Sequence, residues 1–194
     1  MSGYSPRLGG MRADAARNQE KVLAAAEHLF ATRGAGDVTM DDIAKAAGVG
    51  RGTLYRRFPD RASIAVALLD SHERALQEQL LNGPPPLGPG APPVERLTAF
   101  YDAMLALLDK HVHLVLGTEV GASRFATGAY GFWRAHVRSL LDVPDPDALV
   151  DVLLAPLAPD VFQYQRALGV DLERQRSALA RLAAGVLSER GRHP

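Results

Sequence analysis

Residues 39–58 read TMDDIAKAAGVGRGTLYRRF, and this stretch decides the fold of the amino-terminal part of the chain. Thr39 is a favourable N-cap, and Asp42 follows three residues later, so the two can form a capping box. Apolar residues at positions 40, 43, 44 and 47 recur at helical spacing. Gly48 then stands where a left-handed residue commonly ends a helix. The pattern predicts a short helix followed by a glycine turn.

A second, shorter helix is predicted directly after this turn. Leu54 and Phe58 share its inner face, and Pro59 ends it because proline disfavours helix in the preceding residue. This arrangement is a helix-turn-helix, whose second helix enters the major groove of DNA. The alternative is an ordinary helical hairpin with a solvated basic face. The coincidence of capping box, glycine turn, truncated second helix and aromatic, basic surface disfavours that alternative.

The predicted DNA-binding residues lie in and beside this second helix. Arg51, Thr53 and Tyr55 can reach base edges or thymine methyl groups. The arginines after Tyr55 are better placed to contact phosphates, which position a protein without reading sequence. The complete predicted interface is Thr39, Arg51, Gly52, Thr53, Tyr55, Arg56, Arg57 and Arg61.

Several short motifs in this region match the pattern of one family. They are Thr39, Ile43-Ala44, Ala47-Gly48-Val49, Gly52-Thr53-Leu54-Tyr55 and Phe58. With these motifs, residues 15–70 closely resemble the DNA-binding domain of the tetracycline-repressor (TetR) family of bacterial transcription regulators. The segment 18–34 is similar to the first helix of that domain.

Three residues depart from the family pattern. Gly50 stands where the family usually has Ser, so the second helix has a weaker side-chain cap. Arg57 replaces a common His and Arg61 replaces a common Lys, and both keep or add positive charge near phosphate. We therefore expect DNA binding to be retained and the preferred operator to differ.

Composition limits the classes of protein to be considered. The chain has 194 residues, enough for one or two domains, and no cysteine, which excludes disulfides and thiolate chemistry. Neither a signal peptide nor a long uncharged apolar run is evident, so we expect a cytoplasmic protein without a membrane segment. The net charge is zero, but residues 1–61 carry +3 and the remainder −3. A basic amino-terminal part followed by an acidic remainder is typical of a protein that contacts DNA locally.

Helical periodicity predicts an all-α chain. We expect a flexible arm at residues 1–14, a helix-turn-helix domain at 15–62 and a helical ligand-binding and dimerisation domain at 63–194. Within the last domain, residues 82–93 contain six prolines and three glycines and are predicted to be a linker.

The resemblance to the TetR family implies a homodimer. In that family the last two long helices pair across a two-fold axis, and a dimer reads two half-sites of a palindrome. The residues that would fill this interface by resemblance are Leu149, Leu153, Leu179, Leu182 and Val186. Burial of the same leucines in the core of a single chain fits the periodicity equally well.

The resemblance also implies a pocket in the carboxy-terminal domain, whose ligand changes the spacing of the two DNA-binding heads by a population shift. The candidate ligand-binding residues are Tyr101, Met104, Leu108, His113, Phe125, Phe132, Trp133 and His136. Each could instead be plain core. Because this domain is acidic, we expect a small, mainly apolar effector and not a polyanion.

The expected function is that of a repressor released from a palindromic operator by its effector. An activator, or a helical module that binds a protein, is the alternative. An enzyme is disfavoured, because no P-loop, nucleophile elbow or dinucleotide motif occurs. His111 and His113, with Asp109 or Glu119, have loose spacing for a metal site, so neither a metal nor a cofactor is expected.

Overall fold

The structure is a computed structural model that describes residues 7–115 and 128–187, with side chains from 13 to 111 and from 128 to 187. Within these residues the chain forms α-helices and short 3-10 turns without any β-strand, which confirms the predicted all-α fold. The helices are α1 (Arg7–Arg33), α2 (Met40–Ala47), α3 (Arg51–Arg57), α4 (Arg61–Asn82), α5 (Pro93–Val115), α6 (Gly128–Leu140), α7 (Pro146–Leu154), α8 (Pro159–Ala167) and α9 (Leu172–Leu187).

The chain divides into a first unit, Met1–Leu68, and a second unit, Leu69–Pro194. The division lies within α4, six residues beyond the predicted boundary at 62. In the first unit α1 packs against α2, and α2 packs against α3. The buried apolar residues of this unit come from all four of its helices and include Ala26, Phe30, Ile43, Leu54 and Ile64.

Helix α1 begins at Arg7, so residues 7–14 are helical where we expected a flexible arm. The physical reason is local: alanines at 13, 15 and 16 favour helix, and Arg17 pairs with Asp14 one turn earlier. The first six residues of the predicted arm lie outside the described part of the chain.

In the second unit α5 is the central helix and packs against α6, α8 and α9. Its inner residues Leu97, Phe100 and Leu105 are almost completely buried. The proline-rich segment predicted as a linker at 82–93 separates α4 from α5, which begins at Pro93. Among the helices described, none combines the length and apolarity that a bilayer crossing requires.

Two prolines shape the region between α7 and α8. Pro156 lies in the 3-10 turn Ala155–Leu157, and Pro159 is the first residue of α8. Because proline lacks a backbone N–H and fixes φ, it interrupts a helix but is well tolerated at the first helical position. Residues 154, 155 and 157–159 of this region line the cavity described below.

Candidate nucleic-acid interface and ligand cavity

Helix α2 is fixed at both ends by the groups that the sequence indicated. The Asp42 N–H donates to Thr39 Oγ1 at 3.1 Å, and the Thr39 N–H donates to Asp42 Oδ2 at 3.0 Å, which completes the capping box. The bond from the Thr39 backbone is the largest cause of the lowered pKa of the Asp42 carboxyl. At the other end Gly48 is left-handed, with φ 64°, and its N–H returns to carbonyls of the last turn.

Helix α3 presents one buried and one exposed side. Leu54 and Phe58 are only 1% and 5% exposed, so they anchor the helix to the first unit. All the other residues of α3 are exposed. Seven residues make a helix roughly 10 Å long, and an α-helix fits the major groove, which is about 12 Å wide.

The exposed side of α3 contains six of the eight predicted DNA-binding residues. Gly52 and Thr53 are open, and a Cβ added at Gly52 would meet no other atom within 4 Å. Tyr55 is 46% exposed although it is aromatic. A surface of this kind, with an accessible ring between cations, can contact base edges and phosphates.

Two arginines of α3 are held by neighbouring side chains. The Arg51 guanidinium forms an ion pair with the carboxylate of Asp41 on α2. Arg57 donates from Nη2 to Gln19 Oε1 on α1 at 2.8 Å. These contacts orient both guanidinium groups before any DNA binds. Sequence reasoning missed Asp41 and Gln19 as partners, because neither pairing follows from local spacing.

The remaining two predicted residues, Thr39 and Arg61, have internal roles. The Thr39 hydroxyl belongs to the capping box of α2. Arg61 donates from Nη1 to the carbonyl oxygens of Gly36 and Val38, at 2.8 and 2.9 Å, and so ties the start of α4 to the turn before α2. We expected Arg61 to contact phosphate, and in the structure its Nη1 is engaged by these two carbonyls.

The second unit contains a cavity of about 170 Å³ with mainly apolar walls. Three of the eight predicted ligand-binding residues line it: Met104, Leu108 and Trp133. The other lining residues are Leu69, Glu73, Leu107, Tyr130, Asp151, Leu154, Ala155, Leu157, Ala158 and Pro159.

Three other predicted ligand-binding residues lie in or against the core and not in the cavity wall. Tyr101 donates its hydroxyl to the Leu153 carbonyl at 3.0 Å, and burial raises the pKa of Tyr101 well above its usual value. His136 is buried against Phe100, with ring centroids 5.3 Å apart. Burial and, to a lesser degree, the charge of Arg96 lower the pKa of His136 to about 4.

Phe132, the third, is partly buried and packs against the core. It packs edge-on against Trp133, a residue of the cavity wall, with ring centroids 5.4 Å apart. The two remaining predictions, His113 and Phe125, lie outside the residues whose side chains are described. The same is true of His113 and Glu119 in the disfavoured metal site, and Asp109 of that set pairs with Arg166 at 3.7 Å.

Two acidic residues in the cavity wall were missed by the sequence analysis. Glu73 is 8% exposed, and Asp151 accepts a hydrogen bond from the Tyr130 hydroxyl at 2.8 Å. A signal for Glu73 was present: Leu69, Glu73, Leu76 and Leu80 have the spacing of one helix face, and three of the four are apolar. A carboxylate in such a stripe is expected to be buried.

Comparisons with known proteins agree with the geometry of the first unit. The family model described as bacterial regulatory proteins, tetR family, matches residues 22–68. An uncharacterised HTH-type transcriptional regulator of Mycobacterium tuberculosis (strain CDC 1551 / Oshkosh) is 39% identical over 62 residues, which are 32% of this chain and 31% of that regulator. The chain thus spans about a third of the length of the curated relatives it matches.

Solved structures extend the likeness to the second unit at the level of fold. A transcriptional regulator from Rhodococcus sp. Rha1 has a TM-score of 0.66 and 18% identity, covering 91% of this chain and 99% of its own. SmeT, the repressor of the Stenotrophomonas maltophilia multidrug efflux pump SmeDEF, has a TM-score of 0.60 and 17% identity, covering 86% and 88%. At these identities the likeness establishes the fold alone.

Proposed function

We propose that the chain is a repressor of the tetracycline-repressor (TetR) family, whose model matches residues 22–68, and that it binds a palindromic operator and leaves it when a small effector binds. Members of this family are regulators and not enzymes, so we set the enzyme alternative aside. The observation that carries the proposal is the division of α3 into a buried anchor and an exposed basic surface.

Within this proposal, Arg51, Thr53 and Tyr55 read the operator sequence. Arg56 and Arg57 contact phosphates on either side of the groove. The ion pair of Arg51 with Asp41 supports a reading role, because an oriented guanidinium loses less freedom when it donates two bonds to a guanine. Gly52 leaves space for the closest approach of the helix backbone to the base pairs.

A homodimer follows from the small size of the reading helix, since one α3 contacts too few bases for useful selectivity. Leu153 and Leu179, two of the residues expected at the dimer interface, are buried within the single chain. Helix α8 and its carboxyl end instead leave Tyr164 and Leu168 more than 60% exposed, with Val161 on the same side. We place the dimer contact on these three residues together with the outer side of α9.

The dimer contact can be tested by sedimentation equilibrium of the Tyr164→Arg variant. We expect this charged side chain to separate the protomers, because it would be desolvated against an apolar partner surface. Leu81→Glu is the matched control, since Leu81 is an exposed leucine on α4. Dissociation of both variants, or of neither, would contradict the assignment to α8.

The effector is proposed to bind in the cavity of the second unit, whose walls include Met104, Leu108 and Trp133. By linkage, an effector lowers operator affinity only if it binds more tightly to a conformation that fits DNA poorly. A coupling of 1–3 kcal/mol is typical and changes operator affinity by about 5- to 150-fold.

Selection from random duplexes tests the DNA-binding function. We expect a palindrome whose half-sites lie about one helical turn apart, roughly 34–36 Å. Tyr55→Ala should reduce the discrimination between the selected duplex and a scrambled duplex. Arg74→Ala deletes a charge on α4 outside the interface and should leave this discrimination unchanged. The proposal would be rejected if the selection gave no consensus sequence, or if Tyr55→Ala discriminated between the two duplexes as well as the wild-type protein does. Placing the palindrome across a reporter promoter separates repression from activation.

A further inference from the structure

Asp41 places a carboxylate directly beside the predicted DNA-binding surface. It is the second residue of α2, and it forms an ion pair with the guanidinium of Arg51, the first residue of α3. The contact joins the two helices of the helix-turn-helix across ten residues of sequence. Both side chains stay accessible, at 48% for Asp41 and 69% for Arg51. The carboxylate therefore lies next to a base-reading side chain without being buried.

A carboxylate at this place opposes DNA binding in general. DNA phosphates repel it, and at base edges it can only accept hydrogen bonds. An exposed ion pair also contributes little to stability. Asp41 does place negative charge at the positive end of the α2 dipole, but Asp42 in the next position supplies the same charge and the cap as well. The contact with Arg51 is therefore the effect of Asp41 that bears most on DNA.

The ion pair leaves most of the Arg51 guanidinium open to a base. An arginine side chain has five N–H donors in one plane, and Asp41 accepts from Nη2. Guanine presents two acceptors, O6 and N7, to the major groove, so a bidentate contact needs only two of the remaining donors. Arg51 lies at the amino-terminal end of α3, where recognition helices contact base edges. Asp41 and a guanine can therefore hold the same guanidinium together.

Holding the guanidinium changes which bases Arg51 accepts. Adenine presents one acceptor and one donor to the major groove, so it offers arginine no bidentate contact. A guanidinium without a partner can turn from such a base to a phosphate, which is present at every sequence. A guanidinium held by Asp41 must give up its ion pair to make that turn. The ion pair therefore penalises DNA that lacks guanine at this position.

From these observations we propose that Asp41 is a positioning residue that restricts Arg51 to guanine and so sets the base preference at one position of each half-site. Asp41 lowers the affinity for DNA in general and raises the discrimination between sequences. This inference rests on the proposed function, since it assigns one determinant of operator specificity. Direct recognition of a cytosine amino group by the Asp41 carboxylate is the rival role that the test separates.

A double-mutant cycle on the selected operator tests this role. Asp41→Asn removes the charge, Arg51→Ala removes the guanidinium, and a third variant combines both changes. Fluorescence anisotropy gives the dissociation constants of the full-length proteins for the operator, for a scrambled duplex and for operators with one base pair replaced in a single half-site. Because the other half-site is unaltered, each loss of affinity reports on one protomer. The guanine assigned to Arg51 is the one whose replacement weakens binding of the wild-type protein but not of Arg51→Ala.

In the wild-type protein, replacing this guanine by adenine should weaken binding by about 5- to 150-fold, the range of one bidentate base contact. Asp41→Asn should reduce this preference by about threefold, since an exposed ion pair contributes up to about fivefold. The same variant should bind the scrambled duplex more tightly than the wild-type protein does. In the Arg51→Ala background, Asp41→Asn should change no base preference. Asp37→Asn is the same charge change at an exposed residue of the first unit and should retain the preference for guanine.

An unchanged preference for guanine in Asp41→Asn would overturn the inference. So would weaker binding of this variant to every duplex by the same factor, which is the result expected if Asp41 only stabilises α2. Loss of a cytosine preference that persists in the Arg51→Ala background would assign direct reading to Asp41 and would overturn it as well.

Thermal unfolding checks that each variant is folded, and Asp41→Ala is a second variant with the same expected result. A selection that yields no consensus sequence would reject the proposed function together with this inference. A consensus that contains no guanine assigned to Arg51, or whose guanine preference does not depend on Asp41, would reject the inference alone.

Discussion

Replacing Arg61 by alanine should weaken the first unit without removing a phosphate contact. The guanidinium of Arg61 donates two hydrogen bonds, to Gly36 at 2.8 Å and to Val38 at 2.9 Å. A hydrogen bond to a charged group contributes about 1.5–3 kcal/mol when buried. Because the Arg61 side chain is exposed, we take the discounted value of about 1 kcal/mol for each bond, or about 2 kcal/mol for the pair.

Hydrogen exchange measured by mass spectrometry can report on the first unit separately from the second. A loss of about 2 kcal/mol corresponds to a roughly 30-fold larger opening equilibrium for peptides from residues 22–58. Arg56→Ala is the matched comparison, since Arg56 is an exposed arginine of α3 proposed to contact phosphate. We expect its exchange to be unchanged.

Salt dependence of operator binding completes the test. Each phosphate contact contributes about 0.9 to the slope of log affinity against log salt concentration. Because the proposed dimer carries Arg56 twice, Arg56→Ala should lower the slope by about 1.8, and Arg61→Ala should leave it unchanged. If Arg61→Ala exchanges like the wild-type protein and lowers the slope as Arg56→Ala does, Arg61 is a phosphate contact and our reasoning is refuted.

Two further predictions follow from groups fixed within each unit. Thr39→Ala removes the side-chain cap of α2 and should cost about 1 kcal/mol in hydrogen-exchange stability of that helix, while Thr39→Ser should retain it; equal exchange in both variants would contradict the capping role. The pKa of His136 is lowered from 6.5 to about 4, so between these values the unfolded chain binds a proton that the folded chain does not. The free energy of unfolding should therefore fall by about 2 kcal/mol from pH 7 to pH 5 because of His136. Urea denaturation of His136→Leu at the two pH values should show a decrease that is smaller by this amount. An identical pH dependence in that variant would contradict the assignment.

Local signals predicted the helix-turn-helix well. The capping box, the left-handed Gly48 and the Leu54–Phe58 anchor each depend on residues close in sequence, so their outcome can be derived from spacing. The roles of the arginines could not be derived in this way. Arg61 bonds to carbonyls more than twenty residues earlier, and only the packing of the folded unit places them within reach.

The residues of the cavity could not be derived from local spacing either. Met104 and Tyr101 both lie on the inner side of α5, yet one lines the cavity and the other donates to the Leu153 carbonyl. Periodicity identifies an inward face, but neighbouring helices decide whether that face meets a void or another side chain. The start of α1 differed from the flexible arm that we expected for a simpler reason. Helix propensity extends α1 across a segment that has little apolar content.

Methylation interference on the selected operator tests the central claim most directly. Dimethyl sulfate modifies guanine N7, which faces the major groove, and adenine N3, which faces the minor groove. If α3 enters the major groove, N7 methylation of guanines in both half-sites should block binding. In the Tyr55→Ala variant, the interference should be weaker at guanines next to the base that Tyr55 contacts. Interference confined to adenine N3, or none at any guanine, would contradict the account.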